Sequence, residues 1–561
     1  MIKFISFVVC LLIAHMNFSM ADETSDSQFQ EAEITSGERL FLETRFAYTF
    51  YKHVADGGDI NAQEYPSDPK LDKTVRFFGL PPYQIPFAES PFKGTAYSCR
   101  TCHMVDEHVE QKELGMRAYN DFASKSPVSE RSDQQTVTVR NSPILVDSAL
   151  HRENFLLHYD GEFASLSDLI VGTLTGRNMG WLPNENEIAA NHACDVIKND
   201  NGDNELAKEF GSLSYRELFS GTLKSGETVA EENLISPEHR FNVNESSCDK
   251  IIQGIVHLIS EYIIDLKFQK EEHGPSPYDY FLTINKLPTK PAKGESDQLY
   301  TNRLLSQIVT LQRLNKLKLV DRNPNTEDGR FKFHDQPYRF GKTELQGLYI
   351  FFNKIPQPKL NAGNCGSCHP APHFTDFSLH NVGVTQVEYE SIHGQNSFNK
   401  LRIPTLEERN KNADTYLPAN SNHPNRKGIF RQASSETTAH AVDLGAWNIL
   451  FNDDYPNPQD GLYNLICTSG SKCKTKDQAL QNAIATFKTP SLRDLGHSAP
   501  YMHNGQINDL HAILGFYIAA SINSRRGVIR NADEELKNMN ISPKDIKPLV
   551  SFLFSLYEDY N

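Results

Sequence analysis

The sequence has little of what marks several common protein classes. Nine cysteines in 561 residues are too few for a scaffold held together by disulfides. Acidic residues outnumber basic ones, so the formal net charge is −15 and the pI is about 5.7. This acidity argues against a dedicated nucleic-acid-binding protein. The mean hydropathy of −0.50 excludes a protein with many membrane spans.

Alternating strand patterns and low-complexity segments are also missing, and helical patterns separated by long polar connections take their place. At roughly 100–200 residues per domain, this length predicts two to four domains. Helices are predicted over residues 36–46, 251–268, 304–319, 343–353 and from Ser542 onward. Polar stretches predict surface loops or insertions at residues 286–297, 323–339 and 410–438.

The first 21 residues have the pattern of a secretory signal peptide. Lys3 gives a short basic start, an uncharged apolar run extends from Phe4 to Ala14, and small residues precede Asp22. The apolar run is too short to span a bilayer, although an uncleaved anchor is the alternative. We therefore expect export, cleavage before Asp22, no membrane span in the mature chain, and eight remaining cysteines.

Two C-x-x-C-H motifs carry the strongest chemical signal in the sequence. They are formed by Cys99, Cys102 and His103 and by Cys365, Cys368 and His369. In c-type cytochromes the two thiols attach to one haem, and the following imidazole binds its iron. A zinc site does not require a histidine after both cysteine pairs, and a thioredoxin-like pair needs a βαβ context. The motifs therefore predict two covalently attached c-type haems.

Four further cysteines remain in an exported chain. Four cysteines allow three pairings, and the short spacing of Cys467 and Cys473 favours a local disulfide. That pairing leaves Cys194 and Cys248 as the second disulfide, with free buried thiols as the alternative.

The two motifs and their flanking phrases resemble the bacterial dihaem cytochrome c peroxidase and MauG family. The phrases follow family order: residues 139–143 (VRNSP), 159–161 (YDG), 276–279 (SPYD), 374–383 (FTDFSLHNVG), 487–493 (FKTPSLR) and 499–505 (APYMHNG). The resemblance implies a mostly α fold with two cytochrome-c-like haem domains and long loop insertions. A signal peptide over residues 1–21 would precede an N-terminal peroxidatic domain over 22–285 and a C-terminal electron-transfer domain over 286–561.

The resemblance also implies an activity. We expect a periplasmic oxidoreductase that reduces hydrogen peroxide at the haem of His103. Electrons would pass through the haem of His369, from a small redox protein or from a protein substrate that is itself oxidised, as with MauG. A dihaem oxygenase acting on an organic substrate and a plain dihaem electron carrier are the alternatives.

Two further sites follow from the resemblance alone. Family members bind calcium between the domains through an Asn side chain and two backbone carbonyls, which match Asn141, Ser498 and Pro500 here. Tyr517 matches the second iron ligand of the C-terminal haem, where MauG has Tyr and other members have Met. Met502 is the competing ligand.

The sequence departs from the family at the first haem. No histidine lies between Val109 and Asn141, where other members carry a removable second ligand. We expect an open or water-occupied sixth position, with Met116 and Tyr119 as weak alternative ligands.

The residues expected to handle electrons and protons also differ from the family pattern. The family phrase W-D-G-R, whose Trp relays charge between the haems, becomes Y-D-G-E from Tyr159 onward, so Tyr159 is expected to relay charge or simply to pack. The distal Gln and Glu of the family fall near Leu169 and Met179. Glu185 is the candidate acid–base residue, with Glu187 and Arg177 as alternatives.

Overall fold

The computed structural model describes most of the chain. The described residues are 27–62, 68, 71, 75–77, 84–86, 96–103, 128, 131, 138–270, 274–332, 336–355, 360–438, 440–467, 473–493, 495, 500–507 and 509–558. The predicted signal peptide lies outside them, as do Met116, Tyr119 and Ser498. Within these ranges no helix is both long enough and apolar enough to cross a bilayer.

The fold is mostly helical, as predicted. Residues 27–284 contain α1 (Ser27–Leu42), α2 (Tyr48–Ala55), α3 (Leu166–Leu174), α4 (Asn186–Asn199), α5 (Glu205–Glu209), α6 (Tyr215–Ser220), α7 (Cys248–Asp265) and α8 (Pro277–Ile284). Residues 297–554 contain α9 (Asp297–Arg313), α10 (Lys342–Phe352), α11 (Val384–His393), α12 (Ser397–Lys400), α13 (Leu406–Lys411), α14 (Ala413–Tyr416), α15 (Gln459–Cys467), α16 (Lys476–Asn482), α17 (Leu510–Arg525), α18 (Glu534–Asn538) and α19 (Pro543–Phe554). Two antiparallel strand pairs join β1 (Val75–Phe77) to β2 (Gln84–Pro86) and β3 (Leu379–His380) to β4 (Phe487–Lys488).

In the first half, α1 packs against α7 at a glycine. A Cβ atom on Gly37 would lie 2.0 Å from the Leu258 carbonyl oxygen, so only glycine permits this close approach. The prediction that this helix starts at Ser36 is wrong, because α1 begins at Ser27 and buries Ser36 in its interior. The pair Ser36-Gly37 looks like a helix start in sequence, but here it forms the contact surface with α7.

The second half repeats this arrangement with α10 and α19. A Cβ atom on Gly347 would lie 2.0 Å from the Pro548 carbonyl oxygen. As predicted, Ser542 caps α19: its amide and hydroxyl donate to the Asp545 carboxylate at 2.9 and 2.7 Å. Pro548 lies inside this helix, which continues to Phe554.

Gly347→Ala is expected to destabilise the protein by about 1–3 kcal/mol, since the new methyl group must push two helix backbones apart. Chemical denaturation of the haem-loaded protein measures this. Gly515→Ala on the exposed face of α17 is the matched control, because nothing lies within 4 Å of its Cβ position. That control is expected to leave stability unchanged or to raise it by about 0.5–1 kcal/mol. Equal stabilities for the two variants would contradict the packing argument.

Buried apolar residues form three main clusters. The first draws on residues 40–268, the second on residues 278–557, and the third on residues 379–487 together with Leu156. The second cluster includes Tyr278, Phe281 and Leu282 of α8, which the predicted boundary at 285/286 assigns to the first domain.

The third cluster changes the interpretation of residues 410–438 as a surface loop. Phe430 is buried in this cluster, and the buried guanidinium of Arg409 donates to the carbonyls of Trp447, Leu450 and Phe451. The apolar residues of this segment are few and far apart in sequence, so periodicity does not reveal the core that they join.

Both predicted disulfides are confirmed. Cys194 bonds to Cys248, which ties α4 to the start of α7, and Cys467 bonds to Cys473. Cys99, Cys102, Cys365 and Cys368 form no disulfide.

Candidate functional site

The first C-x-x-C-H motif folds as one tight turn. Cys99–Thr101 form a 3-10 helix, and the amides of Cys102 and His103 both donate to the Cys99 carbonyl, at 3.1 and 3.0 Å. The His103 Nδ1 atom lies 3.0 Å from the Pro143 carbonyl oxygen. A carbonyl only accepts hydrogen bonds, so Nδ1 carries the proton and Nε2 keeps a lone pair for a metal.

The second motif repeats this geometry. Cys365–Ser367 form a 3-10 helix, the His369 amide donates to the Cys365 carbonyl at 2.9 Å, and His369 Nδ1 donates to the Phe374 carbonyl at 2.7 Å. Burial lowers the pKa of His369 to about 4, and burial lowers that of His103 to the same value. Both imidazoles are therefore neutral at physiological pH, which is the form that binds a metal.

A cavity lies beside each motif. The cavity next to Cys99, Cys102 and His103 has a volume of about 770 Å³. The cavity next to Cys365, Cys368 and His369 measures about 210 Å³. Burial raises the pKa of Cys99 and of Cys365 to about 12. Each cavity thus offers two thiols and an imidazole lone pair, which is the set of groups that covalent haem attachment needs.

Tyr517 lies on the wall of the second cavity. Burial, and then the neighbouring thiols of Cys368 and Cys365, raise the pKa of its phenol above the usual value. Met502 lines the same cavity. Both candidate ligands therefore line the cavity that contains Cys365, Cys368 and His369.

Tyr159 and Lys488 line both cavities. The Lys488 amide donates to the Tyr159 carbonyl at 2.7 Å, and the Lys488 ammonium donates to the Leu156 carbonyl at 3.3 Å. Burial, aided by the charge of Arg152, lowers the pKa of Lys488 to about 7. No carboxylate among the described residues forms an ion pair with this lysine. The wall between the cavities thus holds one phenol and one buried amine.

The chain is similar to known proteins over parts of its length. It is 34% identical over 98 residues to the cytochrome-c peroxidase IdrP1 of Denitromonas iodatirespirans, which is 18% of this chain and 24% of that protein. It is 41% identical over 70 residues to the methylamine utilization protein MauG of Methylorubrum extorquens, which is 12% of this chain and 18% of MauG. Over these parts of its length, the chain is thus similar to a cytochrome-c peroxidase and to MauG.

The chain spans about a quarter of IdrP1 and less than a fifth of MauG in these matches. No protein-family model matches it. Among solved structures, a MauG-like protein associated with microbial copper homeostasis aligns with 94% of this chain and 89% of its own length. The TM-score is 0.41, and the sequence identity is 14%. The diheme peroxidase BthA from Burkholderia thailandensis aligns with 94% of this chain and 86% of its own length. The TM-score is 0.39, and the sequence identity is 13%.

An ion-pair network surrounds the Y-D-G-E phrase that replaces W-D-G-R of the family. Arg140 contacts Asp160 at 2.7 Å and Asp443 at 2.5 Å, while Arg431 contacts Asp160 at 3.1 Å and Glu162 at 2.5 Å. Burial opposes ionisation of Asp443, but Arg140 outweighs it and lowers the pKa to about 2. Arg431, which lies 269 positions further along the chain, thus supplies a guanidinium to Glu162.

His158 is a cavity residue that the sequence analysis did not identify. It lines the first cavity together with His103, and its Nδ1 atom lies 3.0 Å from a Glu162 carboxylate oxygen. Burial lowers the pKa of His158 despite the hydrogen bond and charge of Glu162. Its position directly before Tyr159 in the family-like phrase is the one sequence signal that could have identified it.

Glu185, the candidate acid–base residue, does not line the first cavity. Its carboxylate accepts a hydrogen bond from the Leu182 amide at 2.7 Å, at the start of α4, and residues 182–184 line the cavity instead. Glu187 is exposed. Arg177, Leu169 and Met179 do line the cavity. The structure therefore places His158 and Arg177 on the cavity wall, together with Tyr159 and Lys488, but not Glu185.

The predicted calcium ligands are partly brought together. The Asn141 side chain is buried, its amide nitrogen donates to the Pro500 carbonyl at 2.5 Å, and its backbone amide donates to the His503 carbonyl at 2.8 Å. The third residue, Ser498, lies outside the described residues. Calcium binding by Asn141, Ser498 and Pro500 stays a prediction.

Proposed function

We propose that this chain is an exported, periplasmic dihaem oxidoreductase that reduces hydrogen peroxide at the His103 site, with electrons delivered through the His369 site. The observation that carries the proposal is that Tyr159 and Lys488 form a shared wall of two cavities, each beside a C-x-x-C-H motif. When bound, haem supplies peroxide reduction at one site and one-electron transfer at the other. A small redox protein, or a protein substrate that is oxidised, would be the electron donor.

The chain's own residues divide the work between the two sites. Four cysteines would hold the haems, and the carbonyls of Pro143 and Phe374 orient the imidazoles of His103 and His369. At the first cavity, neutral His158 would accept the peroxide proton, held in place by Glu162. At the second, Tyr517 would complete the ligand set.

Lys488 would offset the carboxylates that a haem brings into this interior. With a pKa of about 7, this amine is only partly protonated at neutral pH, and the negative charge of a bound group would favour its protonated form. The same charge favours a reduced, less positive haem over an oxidised one.

Lys488→Met is therefore expected to lower the midpoint potential of at least one haem by on the order of 50 mV. For a one-electron couple, about 59 mV corresponds to a tenfold change in the equilibrium constant for reduction. Spectroelectrochemical titration measures this shift. Lys316→Met, at an exposed position, is the control and should leave both potentials unchanged. Unchanged potentials in Lys488→Met would contradict the assigned role.

Low-temperature EPR of the haem-loaded ferric protein tests the proposed function. One high-spin and one low-spin signal are expected, from an open first site and a six-ligand second site. Addition of peroxide should then oxidise the protein by two electrons. Two low-spin signals and no reaction with peroxide would contradict the proposal and favour a plain electron carrier.

A further inference from the structure

We propose that Glu33, His239 and His257 form a binding site for a divalent transition metal ion of the Zn²⁺ type, separate from both haem motifs. One ligand atom from each of these side chains lies within 4.8 Å of the other two. The site joins α1, which carries Glu33, to α7, which carries His257, and to the 3-10 turn Pro237–His239.

The two imidazole rings are stacked face to face. Their ring centroids are 3.5 Å apart with an angle of 18° between the planes, and His257 Nε2 lies 3.2 Å from a Glu33 carboxylate oxygen. Ligands bound at about 2.0–2.1 Å in a tetrahedral site are themselves a little over 3 Å apart. An ion bound by both imidazoles must lie near the plane of each ring, so one ring would have to turn out of the stack. The partly exposed ring of His239 makes no hydrogen bond among the described residues, so it is the ring that can turn.

Glu33 is held as a charged ligand. It is 7% exposed, and its other oxygen accepts hydrogen bonds from the Ser236 amide at 3.0 Å and the Ser236 hydroxyl at 2.5 Å. Burial opposes ionisation, but the hydrogen bonds from His257 and Ser236 lower the pKa of Glu33 to about 2. One oxygen is thus fixed by the protein while the other faces the imidazoles.

The second nitrogen of His257 also has a carboxylate nearby. Its Nδ1 atom lies 3.9 Å from a Glu261 oxygen, one turn further along α7. Metal-binding histidines commonly direct the nitrogen that does not bind the metal toward a carboxylate. The His239 ring makes no hydrogen bond among the described residues, so its nitrogens are available.

The chemistry of these groups selects the ion. Two imidazoles and one carboxylate suit Zn²⁺ and its transition-metal neighbours, whereas Ca²⁺ and Mg²⁺ require oxygen ligands. Burial, and then the adjacent His257, lower the pKa of His239, so its ring is neutral and can bind a cation at physiological pH. A solvent molecule would complete a four-ligand shell, because both histidines are partly exposed.

The site is independent of the proposed redox function. Ile259 and Ile263 of α7 line the first haem cavity, and His257, two residues before Ile259, points about 200° away around the helix. The ion would connect the N-terminal helix to the helix that forms the cavity wall, and we expect its effect to be on stability rather than on peroxide chemistry.

Zinc chloride titrated calorimetrically into the metal-stripped, haem-loaded protein tests this site, with bound zinc counted by elemental analysis after desalting. One zinc per chain and a higher Tm are expected, with no binding of calcium at this site. His257→Gln and His239→Gln should each weaken zinc binding at least tenfold. His423→Gln, which removes an exposed histidine lying 3.1 Å from Asp454, is the matched control and should bind zinc normally.

The haem absorbance spectrum shows whether each variant has folded. His239→Gln serves as the second variant because it breaks no hydrogen bond of the ring. Retention of one zinc with unchanged affinity in both variants would overturn the proposal, as would the absence of zinc from the unmodified protein. An unchanged reaction with peroxide in a zinc-free variant is expected and leaves the proposed redox function intact.

Discussion

His158→Gln is expected to lower kcat/KM for hydrogen peroxide by about 10²- to 10³-fold while both haems stay attached, the usual contribution of a positioned acid–base group. His158 lines the same cavity as His103, and Glu162 fixes its ring through a contact of 3.0 Å. Glutamine keeps the size and polarity of the side chain but cannot accept a proton. Stopped-flow mixing of the ferric protein with peroxide measures the rate.

The pH profile separates this role from simple packing. Burial lowers the pKa of His158 below 6.5, so the neutral ring is present above that pH and is lost as the pH falls through the lower, folded value. The reaction of the unmodified protein with peroxide should therefore become slower as the pH falls below 6.5. His158→Gln should not show this decrease. His511→Gln, at an exposed position, is the control and should react normally. A normal rate in His158→Gln would show that the peroxide proton goes elsewhere.

Tyr517→Met is expected to raise the midpoint potential of the C-terminal haem by on the order of 100 mV or more, since axial ligands set haem potentials over a range of about 0.8 V. A phenolate stabilises ferric iron, whereas a thioether favours the ferrous form. The change should also alter the low-spin EPR signal, and the two-electron-oxidised state should decay faster or fail to form.

Met502→Leu is the matched variant that decides between the two candidate ligands, because both residues line the second cavity. If Tyr517 binds the iron, Met502→Leu leaves the potential and the EPR signal unchanged. If instead Tyr517→Met leaves the potential and the EPR signal unchanged and Met502→Leu alters them, Met502 is the ligand.

The sequence alone predicted groups that are able to hold the proposed cofactors. The C-x-x-C-H spacing is a local pattern, so it identified His103 and His369 without knowledge of the fold, and the disulfides followed from the four remaining cysteines. The resemblance that pointed to Tyr517 also depends on local sequence, and the phenol does line the cavity.

The polar groups of the first cavity could not be predicted in this way. Arg431 reaches Glu162 across 269 positions of sequence, and no local pattern reports such a distant ion pair. The candidate Glu185 was chosen by its position in the chain, but a short turn directs its carboxylate to the Leu182 amide. The start of α1 was misplaced for a related reason, since Gly37 reflects a contact with α7 rather than a helix end.

The crossing of α10 and α19 has a consequence for the order in which the molecule matures. The chain is synthesised from its N-terminus, so Lys342–Phe352 and the thiols of Cys365 and Cys368 emerge well before Pro543–Phe554. Leu549 and Leu553 of α19 line the second cavity, which cannot close until this last helix arrives. If haem is attached to Cys365 and Cys368 as proposed, the docking of α19 would end the period in which these thiols are accessible for attachment.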